Sequence, residues 1–209
     1  MSSTAIIRNL GLVDYAETYA TMRRFTDERA AQTVDELWFL EHPPVYTLGT
    51  NTDAAHLLET DNTPVVQTDR GGQVTWHGPG QAIVYVLIDI KRARLGIREL
   101  VGRLEQAIIA TLAAFGIAAS GRDGAPGVYV DGAKIASLGL RIRKYSSYHG
   151  IAVNVCNSLE PFKGINPCGY EGQAVTRTCD LGGPADVAEL SERLLQELLK
   201  QLELTARSD

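Results

Sequence analysis

The chain has 209 residues, 44% hydrophobic and 22% charged, a composition that folds as a globular protein with a sizeable core. Its net charge of −5 excludes a nucleic-acid binder working through bulk positive charge. Cysteines stand only at 156, 168 and 179, which gives neither a disulfide framework nor a zinc spacing.

A reducing cytoplasm follows as the expected compartment. The first residues lack the basic and apolar regions of a signal peptide. The most apolar run, residues 107–119, is broken by Thr111 and Gly116 and is too short to span a bilayer. No membrane association is expected.

In chain order, Ala5-Ile6-Ile7 reads as a short first strand, and Asp14 is suited to cap a helix running to about Thr33. Glu36–Leu40 reads as a strand closed by His42-Pro43-Pro44, Val45–Gly49 resumes extended, and residues 53–58 allow about one helical turn. Val65-Val66-Gln67 is a further strand. Arg70–Gln81 then brings four glycines, a proline, an arginine and a histidine into twelve residues, which no amphipathic helix tolerates. Ala82–Ile90 is apolar on both faces, as in a central strand. Ile97, Leu100, Val101, Leu104, Ile108, Leu112 and Phe115 recur at helical spacing, with Gly116 as the stop. Gly127–Val130 and Lys134–Arg143 form a hairpin through Asp131-Gly132. Tyr148–Val155 is a strand, Asn157–Tyr170 a loop, and Pro184 opens a last amphipathic helix carrying Val187, Leu190, Leu194, Leu198 and Leu202. The sum is a mixed α/β (α+β) fold. A doubly wound nucleotide-binding sheet is excluded because strands and helices do not alternate strictly. Neither phosphate-binding glycine motif is present.

The glycine-rich stretch, tied to strands at both ends, is suited to form one wall of a binding site. Strand alternation puts Lys134 on the face of Ala136, Leu138 and Leu140, an apolar row that would desolvate an ammonium. A lysine just past a turn can also snorkel to water. Cys168 lies in a loop between Pro167 and Gly169, where a scaffold can present a nucleophile. Cys156, at a strand end, fits a small buried hydrophobe, and Cys179 has no supporting pattern. A nearby ammonium would lower the Cys168 pKa. His77 or His149 are alternative activators. No histidine cluster has metal spacing, so no metal site is expected. Small residues at Gly71, Gly72, Ala136, Gly139, Gly150 and Ala152 leave a slot, and Leu138 and Ile151 would line it for an apolar chain.

Four segments carry a resemblance. Arg70-Gly-Gly-Gln-Val-Thr-Trp-His-Gly-Pro-Gly-Gln81, then Gly127-Val-Tyr-Val with Lys134-Ile-Ala-Ser-Leu-Gly139, His149-Gly-Ile-Ala-Val-Asn-Val155 and Pro167-Cys168-Gly169 resemble, in order, the motifs of octanoyl-[acyl carrier protein]:protein N-octanoyltransferases. The resemblance implies one catalytic domain over residues 1–209, with a mixed, largely antiparallel sheet backed by helices, as in biotin and lipoate protein ligases. It implies Cys168 as the nucleophile that forms an octanoyl thioester, and Lys134 as the group that lowers its pKa. It implies an acyl site lined by Arg70, Gly71, Gly72, Gln73, Val74, Thr75, Trp76 and His77, by Ser137, Leu138 and Gly139, and by Gly150, Ile151 and Ala152. The implied donor is octanoyl-acyl carrier protein. The implied acceptors are lipoyl domains of 2-oxoacid dehydrogenases and the glycine-cleavage H protein, with no cofactor. Arg70, Arg141, Arg143 and Lys144 are candidates for docking an acidic carrier. An ATP-dependent ligase on the same fold, a thioesterase and a non-catalytic acyl-binding module are the competing classes.

Overall fold

The structure, a computed structural model, describes residues 3–53, 60–165 and 173–207. Cys168 and most of the helical turn expected at residues 53–58 lie outside the described residues. The elements are β1 (Ser3–Leu12), α1 (Tyr15–Glu28), β2 (Asp35–Glu41), β3 (Val45–Leu48), β4 (Val65–Gln67), β5 (Thr75–His77), β6 (Gln81–Leu87), α2 (Ile97–Ala114), β7 (Ser120–Gly121), β8 (Gly127–Val130), β9 (Ala133–Arg143), β10 (Ser146–Asn154), α3 (Val187–Gln201) and β11 (Leu204–Arg207).

Among these residues the strands form an eight-stranded sheet in the order β11-β1-β2-β6-β10-β9-β8-β7 and a three-stranded sheet in the order β4-β3-β5. β1 runs parallel to β2 and β11, and the other pairs of the large sheet are antiparallel. β6 is buried along its whole length and divides its side chains by strict alternation. Ala82, Val84 and Val86 join a core with Leu100, Leu104 and Ile108 of α2 and Leu190, Leu194 and Leu198 of α3. Ile83, Tyr85 and Leu87 join the opposite core with Met22 of α1 and Trp38 and Leu40 of β2. Each large side chain so buried contributes roughly 1.5–3 kcal/mol. Among the described residues no helix is long and apolar enough to cross a membrane.

The largely antiparallel sheet and its helices match the expected class, and four details differ. Asp14 caps α1 through Oδ1, which accepts the Glu17 N–H at 3.0 Å, but the helix stops at Glu28 rather than near Thr33. Arg29 turns inward instead, donating to Asp35 Oδ1 at 2.5 Å and Leu87 O at 2.9 Å, and the chain must leave the helix to follow it. The first strand is longer than Ala5–Ile7, because β2 and β11 pair with it on both sides. β11 itself has neither alternation nor a turn signal and is a strand through its pairing with β1. The last helix begins at Val187, capped by Asp186, whose side chain accepts the Ala188 N–H at 2.9 Å.

Candidate functional site

The glycine-rich stretch joins the two sheets. It enters from β4 and β5 of the small sheet and leaves into β6 of the large one. Backbone bonds pin it: the Gly71 N–H donates to Leu140 O at 2.9 Å, and the Thr50 N–H to Arg70 O at 2.9 Å. Close approach to β9 depends on the glycine opposite, since a Cβ at Gly139 would lie 2.9 Å from Gly71 O.

Between this stretch and the large sheet lies a cavity of about 260 Å³. Arg70, Gly71, Gly72, Gln73, Val74, Thr75 and His77 line one side of it. Lys134, Ser137, Leu138 and Gly139 of β9 and Gly150, Ile151 and Ala152 of β10 line the other. Tyr15, Ile83, Tyr85, Leu140 and His149 complete the wall, and Ile97, Val101 and Pro126 carry it to the start of α2. Trp76 is not in the wall. It packs with Tyr46, Val74, Phe162 and Ile165 in a separate core, its ring 5.7 Å from that of Phe162.

Lys134 is 5% exposed and faces the side of the sheet opposite to the one alternation predicts. Val128 pairs with Ala136, but the next residue, Tyr129, pairs with Lys134, so Ile135 is an extra residue in β9. Such a bulge turns successive side chains to one side. Ile135 and Ala136 both enter the α2/α3 core, and Lys134 is left on the face of Ser137 and Gly139, toward the cavity. Its Nζ lies 5.6 Å from the centre of the Tyr129 ring. Its backbone is held by the segment that follows residue 172. The Lys134 N–H donates to Ala174 O at 2.7 Å, and Lys134 O accepts the Thr176 N–H at 3.0 Å.

A polar chain backs the part of the wall formed by Arg70 and His77. Arg70 Nη2 donates to Thr47 O at 2.6 Å and to Thr47 Oγ1 at 2.9 Å. Gln81 Nε2 donates to Asn154 Oδ1 at 2.9 Å, which turns Gln81 Oε1 toward His77 Nδ1 at 2.7 Å. The network therefore assigns the His77 proton to Nδ1 and leaves Nε2 to accept from the Thr47 hydroxyl at 3.4 Å. Asn154 Nδ2 donates to Thr176 O at 3.0 Å, so the chain ends on the segment beside Lys134.

Burial, reinforced by the neighbouring His42, pushes His77 down to about 3, and it is a neutral hydrogen-bonding link. Burial also lowers His42 and His149, the latter against the opposing pull of Asp69. Burial alone would raise Asp69. Hydrogen bonds from His149, Tyr148 and Tyr19 outweigh it and hold the carboxyl well below the usual range.

Asp69, Thr47 and Tyr15 carry no local sequence signal, because their partners come from β10, the glycine-rich stretch and β5 respectively. Arg70 is buried and cannot dock a partner at the surface. Arg143 and Lys144 are exposed, and both engage Asp27, at 2.6 and 3.8 Å. Cys156 is exposed rather than a buried hydrophobe, and it stands beside Cys179.

Residues 14–199 match the family model described as lipoyl protein ligase A/B catalytic domain. The chain is 56% identical over 197 residues to an octanoyltransferase of Methylococcus capsulatus, covering 94% of this chain and 95% of that one. It is 53% identical over 203 residues to an octanoyltransferase of Pseudomonas syringae, covering 97% and 93%. Two solved structures share the fold. One is of an archaeal lipoylation system, a bi-partite lipoate protein ligase and its E2 lipoyl domain from Thermoplasma acidophilum, with TM-score 0.80, 16% identity, and coverage of 99% of this chain and 87% of that one. The other is biotin protein ligase from Aquifex aeolicus, with TM-score 0.54, 12% identity, and coverage of 97% and 70%. At such identities the likeness concerns the fold alone. The chain belongs to the lipoyl protein ligase A/B catalytic domain family. Within it the chain falls among the octanoyltransferases, and it is an acyltransferase.

Proposed function

We propose that this enzyme moves an octanoyl group from acyl carrier protein to a lysine of a lipoyl domain, through a thioester on Cys168. The Cys168 thiolate attacks the carbonyl carbon of the carrier thioester. The carbon–sulfur bond to the carrier breaks, and the departing thiolate takes a proton from the Lys134 ammonium. The neutral amine of the acceptor lysine then attacks the acyl-enzyme. The bond to Cys168 breaks, the sulfur leaves as thiolate, and the amine's surplus proton returns to Lys134. An ammonium beside the sulfur lowers its pKa, and the same group carries protons between the half-reactions. The acyl group arrives activated, so no nucleotide is consumed. The acceptors on this reading are 2-oxoacid dehydrogenase lipoyl domains and the glycine-cleavage H protein.

The observation that carries the proposal is the cavity: about 260 Å³, walled by glycines and by Leu138, Leu140 and Ile151, with a buried lysine in its wall. It is near the small end of ligand pockets, at roughly 300–1,000 Å³, and suits a short acyl chain better than a nucleotide cofactor. The Lys134 backbone also bonds to Ala174 and Thr176, a few residues along the chain from Cys168.

The test is the intact mass of the enzyme after exposure to octanoyl-acyl carrier protein. A gain of one octanoyl group is expected, absent in Cys168→Ala and discharged by a lipoyl domain without ATP. Transfer at full rate by Cys168→Ala would overturn the mechanism.

A further inference from the structure

Cys156 and Cys179 are 23 positions apart in the chain, yet their sulfurs stand 2.6 Å from each other. A covalent S–S bond is about 2.05 Å long, so the pair needs to close by only a fraction of an ångström. The backbone imposes this proximity. Cys156 directly follows Val155, and its N–H donates to Gly80 O at 2.9 Å. Cys179 sits in a 3₁₀ turn, Thr178–Leu181, and its N–H donates to Val155 O at 3.0 Å. The buried Thr178 hydroxyl ties the same turn to Val155 O at 3.1 Å and Pro184 O at 2.6 Å. Cys179 is thus fastened to the residue that precedes Cys156, and Cys156 is held in turn by Gly80. Both can be reached by a solute, Cys156 being exposed and Cys179 partly so.

The two positions bracket a functionally loaded stretch. Residues 157–178 contain Cys168, and the end of that stretch supplies Ala174 and Thr176, which hold the Lys134 backbone. We propose that Cys156 and Cys179 form a reversible disulfide that closes the neck of this stretch. The oxidant is a small-molecule disulfide of the glutathione type. The Cys156 sulfur, as thiolate, attacks one sulfur of the oxidant, and its partner leaves as a thiol after taking a proton from solvent. The Cys179 sulfur, losing its proton to solvent, then attacks Cys156 and displaces the second thiol. Two protein thiols are oxidised as one external disulfide is reduced to two thiols, and excess thiol reverses both steps. Cys156 is the more exposed of the two and meets the oxidant first, which leaves the second step to Cys179. A disulfide that forms transiently and is sensed rather than permanent is the kind a reducing compartment permits. The inference does not depend on the role of Cys168.

The test treats the full chain with oxidised glutathione, alkylates it with iodoacetamide and maps the thiols by mass. Expected are a cross-linked peptide pair joining 156 to 179, lighter by two hydrogens than the two free peptides, and no alkylation of either cysteine, whatever the state of Cys168. Dithiothreitol should restore three alkylation sites. Cys156→Ser should leave Cys179 alkylated with no cross-link. The cross-linked protein should melt roughly 5 °C or more above the reduced form, and the amides of Lys134, Thr176 and Cys179 should exchange more slowly. Three alkylated cysteines after oxidation, a stable glutathione adduct on Cys156 with Cys179 still free, or a cross-link to Cys168 would each overturn the pairing. An unchanged melt and unchanged exchange in the cross-linked protein would overturn its role at the neck.

Discussion

Gly127 and Lys134 compete for one volume: a Cβ on Gly127 would lie 2.6 Å from Lys134 Cε and 3.3 Å from its Nζ. The glycine also has φ of +139° and stands 2.7 Å, at that same Cβ position, from Ala136 O. Gly127→Ala should therefore displace the lysine, and octanoyl transfer should fall by about tenfold or more, as for a misplaced reacting group. Single-turnover transfer measured beside circular dichroism checks this. A folded variant with the parental rate would show that the lysine's position is not needed.

Removing the amine tests it directly. Lys134→Ala should slow acyl-enzyme formation by roughly 10²–10⁴-fold, the usual range for a lost proton-transfer group. Lys134→Arg should rescue little, since a guanidinium does not give up its proton near neutral pH. Rates of octanoyl adduct formation against pH distinguish the two: the alanine variant should need a higher pH to ionise the sulfur.

Acid should destabilise the fold through its buried histidines. His77 is held near 3 against an ordinary 6.5, so between these values the unfolded chain binds a proton that the native state refuses. Stability is therefore lost as pH falls from 6.5 toward 3, at up to about 1.4 kcal/mol per pH unit per histidine. His42 and His149 are shifted in the same direction. Asp69, whose pKa is lowered, adds stability above its unfolded value near 3.8 that is lost below it. Urea midpoints at pH 7 and pH 5 should differ, and His77→Gln should flatten the dependence. A flat profile for the parent would contradict this account.

The link between Gln81 and Asn154 should behave as one unit. Truncating either to Ala strands a buried partner, at about 1–3 kcal/mol. The double variant should cost less than the sum, and a double-mutant cycle in urea would read that coupling. Strict additivity would mean that the 2.9 Å bond contributes nothing.

Trp76 stands apart from the cavity, against Phe162 and Ile165. Trp76→Phe should lower stability by roughly 1–3 kcal/mol while the KM for the octanoyl donor stays within about twofold. A large rise in KM with an unaltered melt would put the indole in the acyl site.

Much of this was legible because it is local. The spacing from Ile97 to Phe115 announced α2, and Asp131-Gly132, with φ of 48° and 83°, made the expected hairpin turn. Gly139 marks the cavity because a Cβ there would crowd Gly71 O at 2.9 Å, and Gly150 because one would crowd Val84 O of the neighbouring strand. Other features depend on residues that meet only in three dimensions. Arg29 leaves its helix for Asp35, Thr47 links Arg70 to His77, and Asp69 is held from β10. The cysteine pair is invisible at a separation of 23 residues. The side chosen by Lys134 was misread because alternation assumes an unbroken strand, and no residue near Ile135 declares the insertion.

That inserted residue acts as a handedness switch for the amine. Pairing β9 with β8 without the bulge, Ile135 kept, would restore strict period-two order and swing Lys134 toward the interior where α2 and α3 meet. A chain of the same length, with every chemical group retained, would then carry its ammonium into hydrocarbon, away from Ser137 and Gly139 in the cavity wall.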